Sequence, residues 1–333
     1  MTDPEEPAPP GTAPALTAAQ RDRAVGAILG TAVGDALGSQ YEFGPALADD
    51  VVPEFGVGHF GHGLGEWTDD TSMAVPILEA LAAGESLRDG SVLARRVLAR
   101  WIDWARDAKD VGTQTRAVLG RLGPAATEEE ARAAAEAVHR GTGRSAGNGS
   151  LMRIAPVALG YLSPGREREL VEAAERVTRL THWERSNVEA TALWSLLIRR
   201  AILTGQIDPA GERLRLIEID PGLDGADLVE LGPVAHPRDF TASNGWVVAA
   251  FRAALAAVVG ASSLPEAVFR AIRGGGDTDT VAAIAGALAG ARWGADAIPS
   301  DWRRRVHGWP GYDAGDLERL VLRAVGGAAE GSV

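Results

Sequence analysis

The sequence predicts an all-α protein, and three observations lead to that prediction. Apolar residues recur at spacings of three and four through much of the 333-residue chain, as one buried helix face requires. Thr127 with Glu130, and Ser263 with Glu266, have the spacing of capping boxes at helix starts. Strand patterns are few, and the best covers only residues 214–219. No fixed-period repeat and no clear linker divides the chain, so we expect one compact multi-helix domain.

The predicted helices follow one another along most of the chain. The first starts at Thr17, a typical N-cap residue, and ends near the Gly34–Gly38 segment. Pro76 lies where the second helix should continue, so we expect that helix to start late or to kink. Further helices are predicted over about 70–83, 92–108, after 127, 166–180, 185–204, 245–259, after 263, 278–292 and 314–325.

Three segments lack helical periodicity. Residues 41–68 are rich in glycine and predict a long loop, a feature that is often functional in compact domains. Residues 206–243 form a polar, proline-containing insertion between helices. Residues 1–16 are rich in proline, alanine and glutamate and predict a disordered tail. The domain should therefore cover residues 17–326, followed by a flexible C-terminus at 327–333.

Composition limits the classes of function. The net charge of −12 argues against a general nucleic-acid binder, which needs a basic surface. The chain has no cysteine, which excludes disulfides, zinc thiolate sites, iron–sulfur clusters and a cysteine nucleophile. No basic and apolar leader and no run of about 18 apolar residues is visible. We expect a cytoplasmic monomer that does not bind membranes.

Two short acidic clusters each precede a predicted helix. The first is Thr68-Asp69-Asp70-Thr71, and the second contains Asp277, Thr278, Asp279 and Thr280 after three glycines. Helix capping explains one side-chain oxygen at each place, but not two carboxylates with hydroxyls around them. Carboxylates and hydroxyls are the hard ligands that Mg²⁺, Mn²⁺ and Ca²⁺ prefer. If both helix starts face one cleft, they form a two-metal site; sequence spacing alone leaves this open.

Other motifs carry a weaker signal. Asp35 and Glu42, in the segment that ends the first helix, are read either as functional acids or as solvated side chains. Residues 147–153, GNGSLMR, precede a predicted helix and suit a phosphate, although Asn-Gly is more often a simple turn. Residues 56–65 are glycine-rich, but they lack the flanking features of a P-loop. His59 and His62 lie in this loop, which could form a mobile lid, and we interpret both as solvated rather than as metal ligands.

In this order, these segments resemble the ADP-ribosylglycohydrolase family, which includes the enzyme that reactivates dinitrogenase reductase. The similarity covers about residues 20–310. The matching segments are GTAVGDALGSQYEF at 30–43, GEWTDDTSMA at 65–74, DVGTQTRAVL at 110–119, GNGSLMRIAPVAL at 147–159, THWERSNVEA at 181–190, NGWVVAAFRAAL at 244–255 and GGGDTDTVAAIAGALAGARWG at 274–294.

The resemblance implies an all-α fold of a dozen or more helices around a cleft that holds two Mg²⁺ or Mn²⁺ ions. It makes Glu42 an acid/base residue, with Asp69 and Asp279 the other catalytic candidates. The implied metal ligands are Thr68, Asp69, Asp70, Asp277, Asp279 and Thr280. The implied substrate-binding residues are Gly147, Asn148, Gly149, Ser150 and Met152 at the pyrophosphate and ribose, His182 near the nucleotide, and Trp246, which either stacks on the ligand or is buried by packing.

The resemblance further implies a hydrolase that removes ADP-ribose from a modified protein, with the N-glycosidic bond to arginine as the first choice of linkage. Serine-linked, nucleic-acid-linked and small-molecule ADP-ribose remain alternatives. A non-catalytic structural or binding relative is a third. The presence of both aspartate clusters and of Glu42 argues against that third alternative.

Overall fold

The computed structural model describes residues 15–232 and 235–326. This part of the chain is 65% helical and contains one short antiparallel hairpin, β1 (His307–Gly308) with β2 (Tyr312–Asp313). The all-α prediction is therefore confirmed. The N-terminal tail predicted at residues 1–16 lies almost wholly outside the described residues. The C-terminus predicted at 327–333 also lies outside them.

The α-helices are α1 (Ala18–Gly38), α2 (Asp69–Ala82), α3 (Gly90–Val92), α4 (Ala99–Trp104), α5 (Thr113–Leu119), α6 (Glu128–Thr142), α7 (Glu167–Arg179), α8 (Arg185–Thr204), α9 (Pro209–Ile219), α10 (Ala226–Val229), α11 (Val247–Val259), α12 (Leu264–Arg273), α13 (Thr278–Trp293), α14 (Ser300–Arg305) and α15 (Ala314–Gly326). A π-helical turn, Leu93–Leu98, joins α3 to α4. Turns of 3₁₀ helix cover Ser39–Tyr41, Asn148–Ser150, Ala155–Tyr161, Pro237–Ser243 and Ala295–Ala297.

The close contact between α1 and α13 fixes the C-terminal end of α1 next to the N-terminal end of α13, and both helix ends border the candidate site. Gly30 and Gly34 lie on one face of α1, where the backbones touch. A Cβ at Gly30 would lie only 2.1 Å from the carbonyl oxygen of Gly286, closer than real Cβ contacts allow. Thr278 Oγ1 donates to the carbonyl of Gly38 at 2.9 Å. The end of α1 is thereby held against the start of α13.

Helix α2 begins directly at Asp69 and continues past Pro76 to Ala82. The predicted late start is therefore wrong. Thr68, the residue before the helix, makes no side-chain capping bond. Asp35 on α1 caps the helix instead, because its carboxylate accepts the N–H groups of Thr68 and Thr71 at 2.8 and 2.9 Å. This external cap satisfies the first turn and fixes where the helix starts.

Several local predictions need correction. Residues 214–219 belong to α9 rather than to a strand, because the helix-start signals of Asp208 and Pro209 outweigh a short β pattern. The helix predicted over 92–108 is interrupted by the π turn and its last α-helical residue is Trp104. The GNGS segment leads into 3₁₀ turns instead of an α-helix. Helix α5 had no predicted counterpart.

The capping predictions are mostly confirmed. Thr17 accepts the N–H of Gln20, and Thr127 forms the expected reciprocal box with Glu130. Ser263 caps α12, but the Glu266 carboxylate accepts the N–H of Ser262, so the predicted second box is only half formed. Across residues 15–232 and 235–326, the helices lack the combination of length and apolar character that a membrane crossing requires.

Candidate active site

The two acidic clusters meet, as the sequence analysis required for a shared site. The starts of α2 and α13 lie side by side, with Thr68 Oγ1 3.5 Å from Asp279 Oδ2. They face a cavity of about 500 Å³ whose acidic wall contains Glu42, Asp69, Asp277 and Asp279. The condition that both helix starts face one cleft is met.

Asp35 caps α2 and so leaves the carboxylates of Asp69 and Asp70 free of a capping role. It is completely buried and, besides capping α2, accepts the hydroxyl of Thr71 at 2.6 Å. The interpretation of Asp35 as solvated is therefore wrong. Because Asp35 performs the capping, Asp69 and Asp70 need not fold back onto their own helix. Asp35 is a supporting residue that the sequence analysis left without a role.

Three acidic side chains offer ligand atoms at metal-site spacing. Oxygens of Glu42, Asp277 and Asp279 all lie within 4.8 Å of one another. Asp277 Oδ2 is oriented by the side-chain amide of Asn148, which donates to it at 2.7 Å. Convergent carboxylate oxygens at this spacing suit a hard divalent cation. The structure thus has a candidate acidic metal-binding triad.

The surrounding carboxylates lack compensating positive charge. In the described part of the chain, no lysine or arginine forms an ion pair with Glu42, Asp69, Asp70 or Asp279. Asp70 Oδ1 is buried without a hydrogen-bond partner. Burial, with repulsion from neighbouring acids, raises the pKa of Glu42 to about 9 and those of Asp69, Asp70 and Asp279 well above their usual values. Cations are the natural complement of this charge.

The predicted metal ligands therefore converge. Thr68 lies among them, with its hydroxyl 2.9 Å from Asp35 Oδ1 and 3.0 Å from Asp70 Oδ2. One hydroxyl proton satisfies only one of these acceptors. The residues that fit a metal centre, by charge and position, are Thr68, Asp69, Asp70, Asp277, Asp279, Thr280 and Glu42.

A second cavity, of about 270 Å³, shares Asp69 and Asp110 with the first. Its remaining lining includes Glu66, Asp103 and Asp107. Asp110 is half-buried, and burial together with nearby Asp277 raises its pKa. The sequence analysis missed Asp110 as a site residue, although it begins the DVGTQTRAVL segment that carries part of the family resemblance. Both cavities are thus acidic where they adjoin.

A second part of the cavity lining, the neutral wall, is built by the GNGS turn and contains no acid of its own; it adjoins the acidic wall, because Asn148 donates to Asp277. Gly147, Asn148, Gly149, Met152 and His182 line it, as expected for a substrate-binding surface.

Two other predicted binding residues lie elsewhere. Ser150 is buried behind the turn, where its hydroxyl accepts from Asn187 at 2.8 Å. Trp246 pairs through its backbone with Gly147, but its side chain is 47% exposed and lies outside the cavity lining. Burial by packing, one of the two readings of Trp246, is therefore wrong.

An aromatic rim borders the cavity next to Glu42. Phe43 has a φ of +60°, which is rare for a bulky residue, and its N–H donates to Gly276 at 2.7 Å. Its ring contacts those of His59 and Phe60 edge to face, at centroid distances of 5.2 and 6.1 Å. His59 is exposed, as expected, whereas His62 is only 6% exposed, so its interpretation as solvated is wrong.

Comparisons with known proteins agree with this geometry. The ADP-ribosylglycohydrolase family model matches residues 16–331. An ADP-ribosylarginine hydrolase of Pseudomonas putida is 30% identical, covering 86% of this chain and 74% of its own length. The ADP-ribosyl-[dinitrogen reductase] glycohydrolase of Rhodospirillum rubrum is 28% identical, and the match covers 86% of this chain and 90% of that relative.

A solved ADP-ribosylglycohydrolase-related protein complex contains a chain with the same fold. It aligns with a TM-score of 0.67 and 30% identity, over 94% of this chain and 100% of the other. The match of the family model spans nearly all of the described residues and includes both acidic clusters. The chain therefore belongs to the ADP-ribosylglycohydrolase family.

Proposed function

We propose that this protein is a metal-dependent hydrolase that removes ADP-ribose from modified arginine side chains of proteins. One observation carries the proposal: a buried acidic wall, whose carboxylates form no ion pair among the described residues, adjoins the GNGS turn in one cavity that Arg144 also lines. ADP-ribose has complementary ends, a hydroxyl-rich terminal ribose and an anionic diphosphate. We place the ribose at the acidic wall and the diphosphate at the glycine-containing turn of residues 147–150, next to Arg144 of the cavity lining.

Two Mg²⁺ or Mn²⁺ ions are proposed for the acidic wall, held by Asp69, Asp70, Asp277 and Asp279 with the hydroxyls of Thr68 and Thr280. When bound, such ions offset the buried negative charge, orient ribose hydroxyls and polarise water. The support is the convergence of these side chains and the orphaned oxygen of Asp70. Asp69 and Asp279 are assigned as catalytic because their carboxylates line the cavity itself.

Glu42 is proposed as the acid/base residue. It lies at the mouth of the acidic wall and belongs to the triad with Asp277 and Asp279. In hydrolysis, the C1″–N bond to the guanidine breaks, and a water oxygen forms a new bond to C1″. The guanidine nitrogen leaves with the electron pair of the broken bond, and the proton that water loses passes through the Glu42 carboxylate to that nitrogen. Bound cations would keep Glu42 ionised despite its raised pKa.

Arginine is favoured over serine by the charge around the exit of the leaving group. A guanidinium group is attracted to carboxylates, and Asp110 stands at the junction of the two cavities. The second cavity adds Asp103 and Asp107, so the path beyond the cleavage point is acidic. The Pseudomonas putida relative is named an ADP-ribosylarginine hydrolase, which supports the same linkage. A serine alkoxide would gain nothing from this charge.

A release assay tests the proposal. Peptides carrying ADP-ribose on arginine or on serine, and an ADP-ribosylated nucleic acid, are incubated with protein and Mg²⁺ or Mn²⁺. We expect release from the arginine peptide, and loss of that release with EDTA. Release only from serine or from nucleic acid would overturn the linkage while leaving the hydrolase intact. Absence of release from every substrate would favour the non-catalytic alternative.

A matched pair of variants sharpens the arginine assignment. Asp110→Asn removes the charge at the junction, whereas Asp227→Asn changes an acidic residue in α10, which contributes nothing to the lining of either cavity. We expect the first variant to lower kcat/KM for the arginine peptide and the second to leave it unchanged. Equal activity of both variants would contradict the role of Asp110.

A further inference from the structure

Arg153 is a buried cation that the proposed reaction does not use. It is 0% exposed, and its guanidinium carbon lies 4.1 Å from the ring centroid of Trp101. In residues 15–232 and 235–326 it forms no ion pair with a carboxylate, and its Nε has no hydrogen-bond partner. Its one short hydrogen bond, from Nη2, goes to Thr181 Oγ1 at 2.6 Å. Burial lowers the pKa of Arg153 to about 9, and only the charge of Asp69, which forms no ion pair with it, acts in the opposite direction, so the position of this cation requires an explanation.

The hydroxyl of Thr181 connects Arg153 to His182. Thr181 is also 0% exposed, and its Oγ1 lies 2.7 Å from His182 Nδ1. These two contacts are the only hydrogen bonds of this hydroxyl to the described residues. A guanidinium can only donate, so the Thr181 oxygen is an acceptor toward Arg153.

The direction of the second bond follows from the first. If His182 Nδ1 also donated to the Thr181 oxygen, the hydroxyl proton would be buried without an acceptor, which native structures avoid. If Thr181 instead donates to Nδ1, the buried hydroxyl proton has an acceptor. Nδ1 is then unprotonated, and the proton of the neutral imidazole lies on Nε2.

Nε2 faces the substrate-binding wall. His182 lines the main cavity, and a Cβ built on Gly147 or Gly149 would lie 3.7 or 3.5 Å from Nε2. His182 is only 1% exposed, and the two glycines place no Cβ between Nε2 and the turn. Burial, with the nearby charge of Arg153, lowers the pKa of His182 well below its usual value, so the ring stays uncharged at neutral pH.

We propose that Arg153 and Thr181 form a relay that fixes His182 as the Nε2–H tautomer, so that it donates to an oxygen of the ligand held at residues 147–150. The relay itself depends only on the three side chains. The identity of the acceptor, a phosphate or ribose oxygen, rests on the proposed function. Arg153 and Thr181 act through His182 and are positioning residues.

The tautomer is measured directly in ligand-free protein by long-range ¹H–¹⁵N correlation spectra of ¹⁵N-histidine-labelled samples. The chain has 6 histidines, and loss of one signal set in His182→Gln assigns His182. We expect a protonated Nε2 and an unprotonated Nδ1. A protonated Nδ1 in the wild-type protein would overturn the relay without any need for a variant.

Thr181→Val removes the hydroxyl at nearly constant shape, and Thr181→Ser, which keeps a hydroxyl, is its matched control. We expect Thr181→Val to lose the fixed tautomer and to weaken ADP-ribose binding about tenfold, as the loss of one hydrogen bond implies. Thr181→Ser should restore both. Thermal melting of each variant establishes that it is folded.

Two outcomes separate the relay from the proposed function. If the Thr181→Val variant kept both the Nε2–H tautomer and wild-type affinity for ADP-ribose, the relay would be contradicted. A wild-type protein with the Nε2–H tautomer that fails to bind ADP-ribose in the presence of Mg²⁺ would contradict the proposed function, while the relay would stand.

Discussion

The two walls of the cavity differ in the kind of buried group that each leaves unmatched. The acidic wall, around Asp70 and Asp279, offers carboxylate acceptors and contains no cation. Arg153 is a buried cation that forms no ion pair with a described residue, and Thr181 links it to His182 of the neutral wall, which burial and the charge of Arg153 keep neutral. The acidic wall thus offers acceptors, whereas His182 of the neutral wall, in the proposed tautomer, offers a donor. A ligand that carries cation-bound hydroxyls at one end and acceptor oxygens at the other completes both.

The walls also differ in construction. Helix starts form the acidic wall, and their position depends on the close contact of α1 with α13. A 3₁₀ turn forms the neutral wall, fastened from behind by Asn187, which donates to Gly147 at 2.7 Å. Changes to the acidic wall should therefore affect metal binding, chemistry and folding, whereas changes to the neutral wall should mainly affect ligand affinity.

The largest catalytic effect is expected from Glu42→Gln, which keeps shape and removes the ionisable group. We expect kcat to fall at least about a hundredfold, as for the loss of an acid/base residue, with ADP-ribose affinity retained. Glu54→Gln, at an exposed position in the same loop, is the control and should leave kcat unchanged. Turnover of Glu42→Gln near the wild-type rate would reduce Glu42 to a structural role.

Gly30→Ala tests whether the α1–α13 contact supports the acidic wall. The new Cβ would lie 2.1 Å from the Gly286 carbonyl, so the two backbones must separate. We expect the free energy of unfolding to fall by about 2–3 kcal/mol, as in overpacked cores. Gly141→Ala, in helix α6 with open space around it, should instead be neutral or stabilising. Denaturant unfolding compares them; equal stability of both variants would refute the role of this contact.

A smaller effect is expected from pH on the metal-free protein. The folded-state pKa values of Asp35 and Glu42 are raised to about 6 and about 9, above their unfolded values of roughly 4. The folded state therefore binds more protons than the unfolded state within this window, and stability falls as pH rises through it. We expect the melting temperature in EDTA to be lower at pH 8.5 than at pH 6.

Bound metal should oppose this loss of stability at high pH, because cations and protons compete for the same carboxylates. The increase in melting temperature on adding Mg²⁺ should therefore be larger at pH 8.5 than at pH 6. Asp279→Asn, which removes one of the buried charges, should show a weaker pH dependence without metal. A Mg²⁺-induced increase that is the same at both pH values would argue against metal binding by these carboxylates.

Local signals in the sequence predicted much of the fold. Helices α8 and α13 begin and end within a residue of the prediction, because apolar periodicity and a terminal glycine mark each segment locally. The strand predicted at 214–219 failed because six residues cannot show whether a preceding N-cap and proline have already started a helix. The π turn at Leu93–Leu98 leaves the apolar pattern almost unchanged, so periodicity could not reveal it.

The site was predictable only where motifs are local. The two aspartate clusters stand out in the sequence, but their meeting depends on α1 and α13 touching through glycines. Asp35 was left open between a functional and a solvated side chain, and Asp110 was not identified, because their roles arise from contacts with distant elements. Ser150 shows the opposite error: it belongs to the matching segment, yet the turn directs its hydroxyl to Asn187 and away from the cavity.

Metal stoichiometry tests the central claim about the acidic wall most directly. Protein freed of metal with EDTA is dialysed against Mn²⁺, and bound manganese per chain is determined by elemental analysis for the wild type and Asp279→Asn, with circular dichroism to verify folding. We expect about two ions per wild-type chain, as in a two-metal site, and a clear loss in the variant with its helices intact. Absence of bound manganese in the folded wild-type protein, or equal amounts in both, would contradict the account.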